Sequence, residues 1–269
     1  VSEPAILGTI RASSWPTLFD CSLRWYYQNV RGMRTPARGK SQLGTALHKA
    51  TAVYDTPRVN GDAGNLSEAL GALVETLEKP AQEVVWDDDF KMVKAESIGL
   101  SLTRNYAEQI APSHQYRAVE IACNALDITT ESGVVRINGT TDRVRVTGDG
   151  REGISDIKSG GRAVGADGRA VTKGHHLQTG IYRIMAEAAL ERVLDAPDEI
   201  IGLQVAANAR VGCGEIGDSR TPLVGDADSP GLIEMAGRML KSGIFPPNPR
   251  SMLCSPVYCG GYGVCKFHD

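Results

Sequence analysis

The stretch from Val134 to Lys158 constrains the fold more than any other part of the chain. Val134 to Val146 reads V-V-R-I-N-G-T-T-D-R-V-R-V, and Gly153 to Lys158 reads G-I-S-D-I-K. Both carry the β-branched residues and the alternation of a strand. Gly148-Asp149-Gly150 supplies turn residues between them, so a β-hairpin is expected. A hairpin could bring Asp142, Asp156 and Lys158 to one spot near the sheet edge. Carboxylate oxygens suit a hard ion such as Mg²⁺, which keeps some waters and accepts a phosphate oxygen as a further ligand. Such an ion acidifies a bound water, and Lys158 would orient that water or offset charge developing on phosphorus. A surface hairpin with ordinary charges carries the same letters, because short D-x-K triplets are frequent.

Three more features fall where such a site needs them. Leu43 to Tyr54 has helical periodicity, with Leu43, Leu47, Ala50 and Tyr54 on one stripe and His48 flanking it. Neutral imidazole is a common metal ligand, although a histidine beside an apolar stripe is more often structural. Thr172 to Leu194 reads as an amphipathic helix, in which Gln178 and Tyr182 share a face; a polar rim packed on a sheet is the plainer reading. Glu120 sits in the apolar run Ala118-Val119-Glu120-Ile121-Ala122, which suits an inward-pointing functional carboxylate or an edge-strand glutamate equally.

The order His48, Gly139-Thr140-Thr141-Asp142, Asp156-Ile157-Lys158 and Gln178-x-x-x-Tyr182 resembles the PD-(D/E)XK nuclease superfamily. More narrowly, it is similar to the RecB/AddB-like branch that includes phage exonucleases and CRISPR-adaptation nucleases. The resemblance runs from about Ser13 to the C-terminus. It implies an α/β, restriction-endonuclease-like core: a mixed central sheet flanked by helices. It implies Mg²⁺ or Mn²⁺ held by His48, Asp142, Asp156 and the backbone carbonyl of Ile157. Lys158 takes the catalytic lysine's place, and Gln178 and Tyr182 take that of the family's helix motif. The expected activity is DNA hydrolysis, exonucleolytic on single strands or duplex ends, in recombination, repair or phage DNA processing. Recombination or replication proteins are then natural partners. A catalytically silent nucleic-acid-binding protein is the alternative, and the intact Asp142, Asp156 and Lys158 argue against it.

The cysteines form a second pattern. Cys254, Cys259 and Cys265 crowd the tail in C-S-P-V-Y-C-G-G-Y-G-V-C, while Cys21 stands alone near the start. One distant and three clustered thiolates can complete a four-coordinate site if the chain ends meet. Iron–sulfur members of the same nuclease branch resemble this layout, which implies a 4Fe-4S cluster on Cys21, Cys254, Cys259 and Cys265. The gap between the first two tail cysteines is longer here than that family's usual C-x-x-C. Zn²⁺ also accepts four thiolates, usually from C-x₂₋₄-C pairs at both ends, whereas a cubane needs one ligand per iron. Disulfides or free thiols are the third reading, and His268 could replace one cysteine. Cys123 and Cys213 read as small buried or free thiols.

Composition bounds the rest. The chain has 269 residues, 42% of them hydrophobic, enough for a sizeable core. Its net charge of −3 excludes a globally basic nucleic-acid coat but leaves room for a local cationic groove. No apolar run is long enough to span a bilayer, and no leader-like stretch opens the sequence, so a cytoplasmic setting is expected, bacterial or in a phage-infected cell. A single domain is expected, with a mainly helical front over residues 1–115, a catalytic core over 116–210 and a cysteine-stapled tail over 211–269. Further elements are expected as a helix from Ser13 to about Gln28, helices at Ser67 to Glu78 and Phe90 to Ile110, a strand at Glu199 to Ala207, and a helix at Ser229 to Lys241. Asp87, Asp88 and Asp89 read as charge at a helix start. The glycine-rich loop Gly160 to Gly174 carries Arg162, Arg169 and Lys173, and is expected either to grip a nucleic-acid strand or to serve as a plain connector.

Overall fold

The computed structural model describes residues 5–268. In chain order the elements are β1 (Ile6–Arg11), α1 (Trp15–Asp20), α2 (Ser22–Asn29), β2 (Ala37–Arg38), α3 (Gly39–Asp55), α4 (Leu66–Glu78), β3 (Val84–Val85) and α5 (Met92–Asn105). There follow β4 (Gln115–Thr130), β5 (Gly133–Val146), β6 (Glu152–Gly160), α6 (His176–Leu190), β7 (Asp198–Gln204), β8 (Val211–Ile216), α7 (Thr221–Val224) and α8 (Leu232–Ser242).

Six strands form one mixed sheet, the α/β core expected from the sequence. Its path is β1-β5-β6-β7-β8, with β4 pairing the other side of β5. The β4–β5 and β5–β6 pairs are antiparallel hairpins, while β1–β5 and β6–β7 are parallel. The parallel β6–β7 connection runs through α6, as a parallel pair requires a crossover.

Two apolar clusters cover the two faces. Trp15, Ile137, Val144, Ile154, Ile181 and Met185 pack with α1 and α6 on one face. Leu43, Leu47, Leu73, Leu102, Ile157 and Ile201 pack with α3, α4 and α5 on the other. Ile154 and Ile157 of β6, an odd three residues apart, therefore serve opposite cores, which follows from the two-residue period of a strand.

Several boundaries differ from the sequence reading. The expected helix from Ser13 to Gln28 is interrupted at Cys21, whose extended backbone (φ −143°, ψ 96°) separates α1 from α2. The helical front also contributes β1, a strand whose sheet partner, β5, lies more than a hundred residues away. Asp87 to Asp89 precede the helix instead of opening it: α5 starts at Met92, and Asp87 pairs with Arg38. The 160–174 loop folds back on β7 and β8, with Arg210 donating to the Gly165 carbonyl. Among the described residues no helix is long and apolar enough to cross a membrane.

Candidate active site

Three elements bring the sequence-derived residues together. β5 presents Asp142, β6 presents Asp156 and Lys158, and α3 crosses close enough for His48 Nδ1 to lie 3.2 Å from Asp142 Oδ2. Gly44, one turn before His48, allows this approach: a Cβ there would sit 2.8 Å from Ser159 Oγ. Asp142 Oδ2 also accepts the Ile157 backbone N–H at 2.9 Å, locking the two strands' acids in register. Lys158 Nζ lies 2.5 Å from Asp156 Oδ2. On α6, Gln178 Nε2 donates to Tyr182 Oη at 2.7 Å, as their four-residue spacing predicts.

Asp156 is completely buried, and neither of its oxygens receives a conventional hydrogen bond; Lys158 is its neutralising contact. A carboxylate left in that state is costly unless a cation joins it. Burial accordingly pushes the Asp156 carboxyl up to about 7; Lys158 opposes this and the nearby Asp142 reinforces it. Burial acts on Asp142 in the same sense, but His48, Lys158 and Arg143 outweigh it and hold that carboxyl well below the usual range. Burial would depress the His48 imidazole, and Asp142 and Asp156 reverse this, so its net shift is upward. One acid is thus held ionised, while burial keeps its neighbour protonated up to about pH 7.

Glu120 reaches the same place by an unusual route. It lies in β4 between the Val119–Arg143 and Ile121–Thr141 pairs, opposite Asp142, with a left-handed backbone (φ 55°). Such a conformation is uncommon for a residue other than glycine, and it turns the side chain into the cavity. Burial and repulsion from Asp142 push its carboxyl upward.

An open cavity of about 870 Å³ gathers these groups. Its lining includes His48, Glu120, Asp142, Ile157, Lys158, Gln178 and Tyr182, with Asp156 buried beyond the wall. The lining cations are Arg11, Lys40 and Lys49, together with Lys158. Arg162, Arg169 and Lys173 are absent from that wall, where the 160–174 loop contributes only Gly160 and Gly161. Lys40 ends the basic stretch Arg31 to Lys40, which in sequence reads equally as a phosphate contact or a solvated loop, whereas sequence reading missed Arg11 and Lys49. The signal for Lys49 was available: Lys40, Gly44 and His48 follow an i, i+4 ladder along α3, and Lys49 adjoins it. Arg11 closes β1, which was not foreseen.

Cys21, Cys254, Cys259 and Cys265 line one small pocket with Arg24, Tyr27 and Tyr262, and none is in a disulfide. The chain ends are joined around it. Asn248 donates its backbone N–H to Cys21 Sγ at 3.3 Å and its side-chain amide to the Asp20 carbonyl at 2.9 Å, and Ser251 Oγ donates to Asp20. Gly260 makes the closure sterically feasible, since a Cβ there would meet the Met33 carbonyl oxygen at 2.2 Å. Among the described residues, the mutually close donor trio lies elsewhere, at His114, Glu199 and Cys213.

Residues 11–266 match the family model of the PD-(D/E)XK nuclease superfamily, and the chain belongs to that superfamily. Its fold is similar to the crystal structure of a candidate exonuclease from Eubacterium rectale, with 13% identity, a TM-score of 0.55, and coverage of 93% of this chain and 87% of that one. A looser likeness links it to the structure of SSO0001, at 13% identity and a TM-score of 0.45, covering 96% of this chain and 85% of that one. No curated protein matches the chain significantly.

Proposed function

We propose that this nuclease-family chain is a divalent-cation-dependent deoxyribonuclease that degrades DNA from its ends, in the manner of the RecB/AddB-like branch. The observation that carries this reading is Asp156: a fully buried carboxyl held against Lys158 and beside an ionised Asp142, at the wall of an open cavity. Asp142, Asp156 and the Ile157 carbonyl would supply the hard oxygen donors that suit Mg²⁺ or Mn²⁺, with His48 adding one borderline imidazole nitrogen. Such an ion, when bound, supplies Lewis acidity and an acidified water.

Around it the chain's own groups have separable tasks. Lys158 exchanges its contact with Asp156 for the attacking water or a phosphate oxygen, and stabilises charge in the transition state. Gln178 orients the Tyr182 hydroxyl, and the pair faces the substrate strand across the cavity. Glu120 stands opposite Asp142 as an accessory acceptor. Arg11, Lys40 and Lys49 form the cationic rim that takes flanking phosphates, a role the sequence reading gave to Arg162, Arg169 and Lys173. Two shallower clefts continue the cavity, one sharing Arg11 with it and the other sharing Thr45 and Lys49. An open track of this kind suits a polymer better than a small phosphate ester.

At the tail, the four cysteines are assigned to a structural 4Fe-4S cluster, with Zn²⁺ as the alternative. Convergence of one N-terminal and three C-terminal thiols on a single pocket supports the assignment. A single ion would draw four thiolates together, whereas a cubane gives each cysteine its own iron. The cluster holds α1 and α2 to the tail and takes no part in hydrolysis.

The test is anaerobic purification followed by digestion of linear and circular DNA with Mg²⁺, Mn²⁺ or a chelator. Cation-dependent loss of linear DNA, with the circle spared, supports the proposal. Failure of either metal to promote cleavage of any DNA contradicts it.

A further inference from the structure

We infer that His114, Glu199 and Cys213 form a second metal site, of zinc type, on the face of the sheet opposite Asp156. Glu199 follows the turn into β7 and pairs with Ser155, while Cys213 on β8 pairs with Ile201. Alternation along the strands puts Glu199 and Ile201 on the side away from Asp156 and its partner Ile200. His114 arrives on the segment that leads into β4. The three donor atoms lie within 4.8 Å of one another.

The hydrogen bonds around His114 are those of a ligand held ready. Its Nδ1 is 2.8 Å from the Ile110 carbonyl, an oxygen that can only accept, so Nδ1 carries a proton. Its Nε2 faces Glu199 Oε1 at 3.0 Å, with Cys213 Sγ 3.9 Å from the same nitrogen. Burial would lower the imidazole, but Cys213 and Glu199 raise it to about 10, so in the metal-free chain a second ring proton fills the place that a metal ion takes over. A backbone carbonyl fixing the far nitrogen of an imidazole is the arrangement that orients metal-bound histidines. Glu199 is similarly steadied: Ser155 Oγ donates to Oε1 at 2.9 Å, and Arg145 lies 3.3 Å from Oε2. The His114 and Glu199 side chains are only 10% and 6% exposed, so a cation enters a largely desolvated pocket.

The donor set selects the ion. A thiolate with an imidazole and one carboxylate oxygen suits Zn²⁺ and disfavours Mg²⁺, which prefers oxygen alone. Binding displaces the Cys213 proton and leaves the thiolate and carboxylate charges balanced by the ion. The ion ties the segment before β4 to β7 and to the edge strand β8. This site stands independently of the nuclease reading, since none of its ligands lines the catalytic cavity.

Residue-resolved alkylation of the full-length protein tests the inference without relying on DNA cleavage. Iodoacetamide labelling of Cys213, read by peptide mass spectrometry, slows about tenfold or more with stoichiometric Zn²⁺, because a metal-bound thiolate is shielded. Mg²⁺ has no such effect, and His114→Gln removes the protection. Equal labelling of Cys213 with and without Zn²⁺ overturns the site. Should Cys213 prove too slow to label, Co²⁺ binding to wild type and Cys213→Ser decides: the thiolate-to-cobalt absorption of the wild type is weaker in the variant. Identical spectra overturn the inference.

Discussion

Arg143 donates from Nε to Asp55 Oδ2 at 2.7 Å, and both side chains are completely buried. Arg143 follows Asp142 on β5, and Asp55 lies seven residues beyond His48 on α3. The same helix and strand therefore meet twice, once through this ion pair and once through the His48–Asp142 contact. Tyr106 Oη also donates to Asp55, at 2.5 Å, and the Tyr106 and Tyr116 rings lie within cation–π range of the Arg143 guanidinium. Asp55 thereby sets the spacing of two candidate metal ligands that it never touches.

Replacing Asp55 by Ala leaves a buried guanidinium without its carboxylate. Losing one partner of such a pair costs about 3–5 kcal/mol. Chemical denaturation of the variant should show a loss of that size, with weaker cation binding as a consequence. A change under about 1 kcal/mol would mean that water or another acceptor replaces Asp55.

Asp156→Asn should separate stability from function. The amide removes a charge that the wild type buries beside another acid, so without cation the variant is expected to unfold no more easily than wild type. Its affinity for Mn²⁺, measured by calorimetry, should nonetheless fall at least about a hundredfold, the upper range for disturbing a metal centre. Unchanged Mn²⁺ affinity would remove Asp156 from the ligand set.

The pH dependence follows from the same carboxyl. Its folded pKa is raised to about 7 by burial, above the ordinary aspartate value, so the cation-free folded state holds a proton that the unfolded chain has already released. Stability attributable to this group is therefore full at low pH, and is lost as pH rises from the ordinary aspartate range to about 7. Cation affinity moves the other way, rising through about pH 7 as proton competition ends. Comparing wild type with Asp156→Asn isolates the effect from that of other titrating groups. A wild-type minus variant stability difference that stays flat between pH 4 and pH 8 would contradict it.

Gly260→Ala probes the tail without touching a cysteine. The added methyl would strike the Met33 backbone and part the tail from the segment after α2. Iron or zinc content should fall with it, and the tail should become susceptible to proteolysis. Full metal content in a folded variant would show that the pocket does not depend on this closure.

The sequence made much of this arrangement readable, because the informative signals were local. The β5–β6 hairpin followed from alternation and a glycine turn. His48 and the Gln178–Tyr182 pair followed from helical spacing. What escaped notice depended on contacts distant along the chain. β1 is six residues long and is stabilised by parallel pairing with β5, which no local pattern announces. Cys21 sits within a helical pattern, and its extended backbone coincides with tail contacts from Asn248. Arg162, Arg169 and Lys173 looked suited to a DNA-gripping loop, yet the Gly165 carbonyl is tied to Arg210 in the β7–β8 connection. Arg11 carries no motif at all, since a cation's use depends on where its strand end finally lies.

The most direct measurement is the rate of linear DNA digestion by Lys158→Ala in saturating Mn²⁺, beside an unfolding curve for the same preparation. With Lys158 stabilising charge in the transition state, the account predicts a fall of about a hundredfold or more in a variant that remains folded and still binds Mn²⁺. Digestion at the wild-type rate would contradict it.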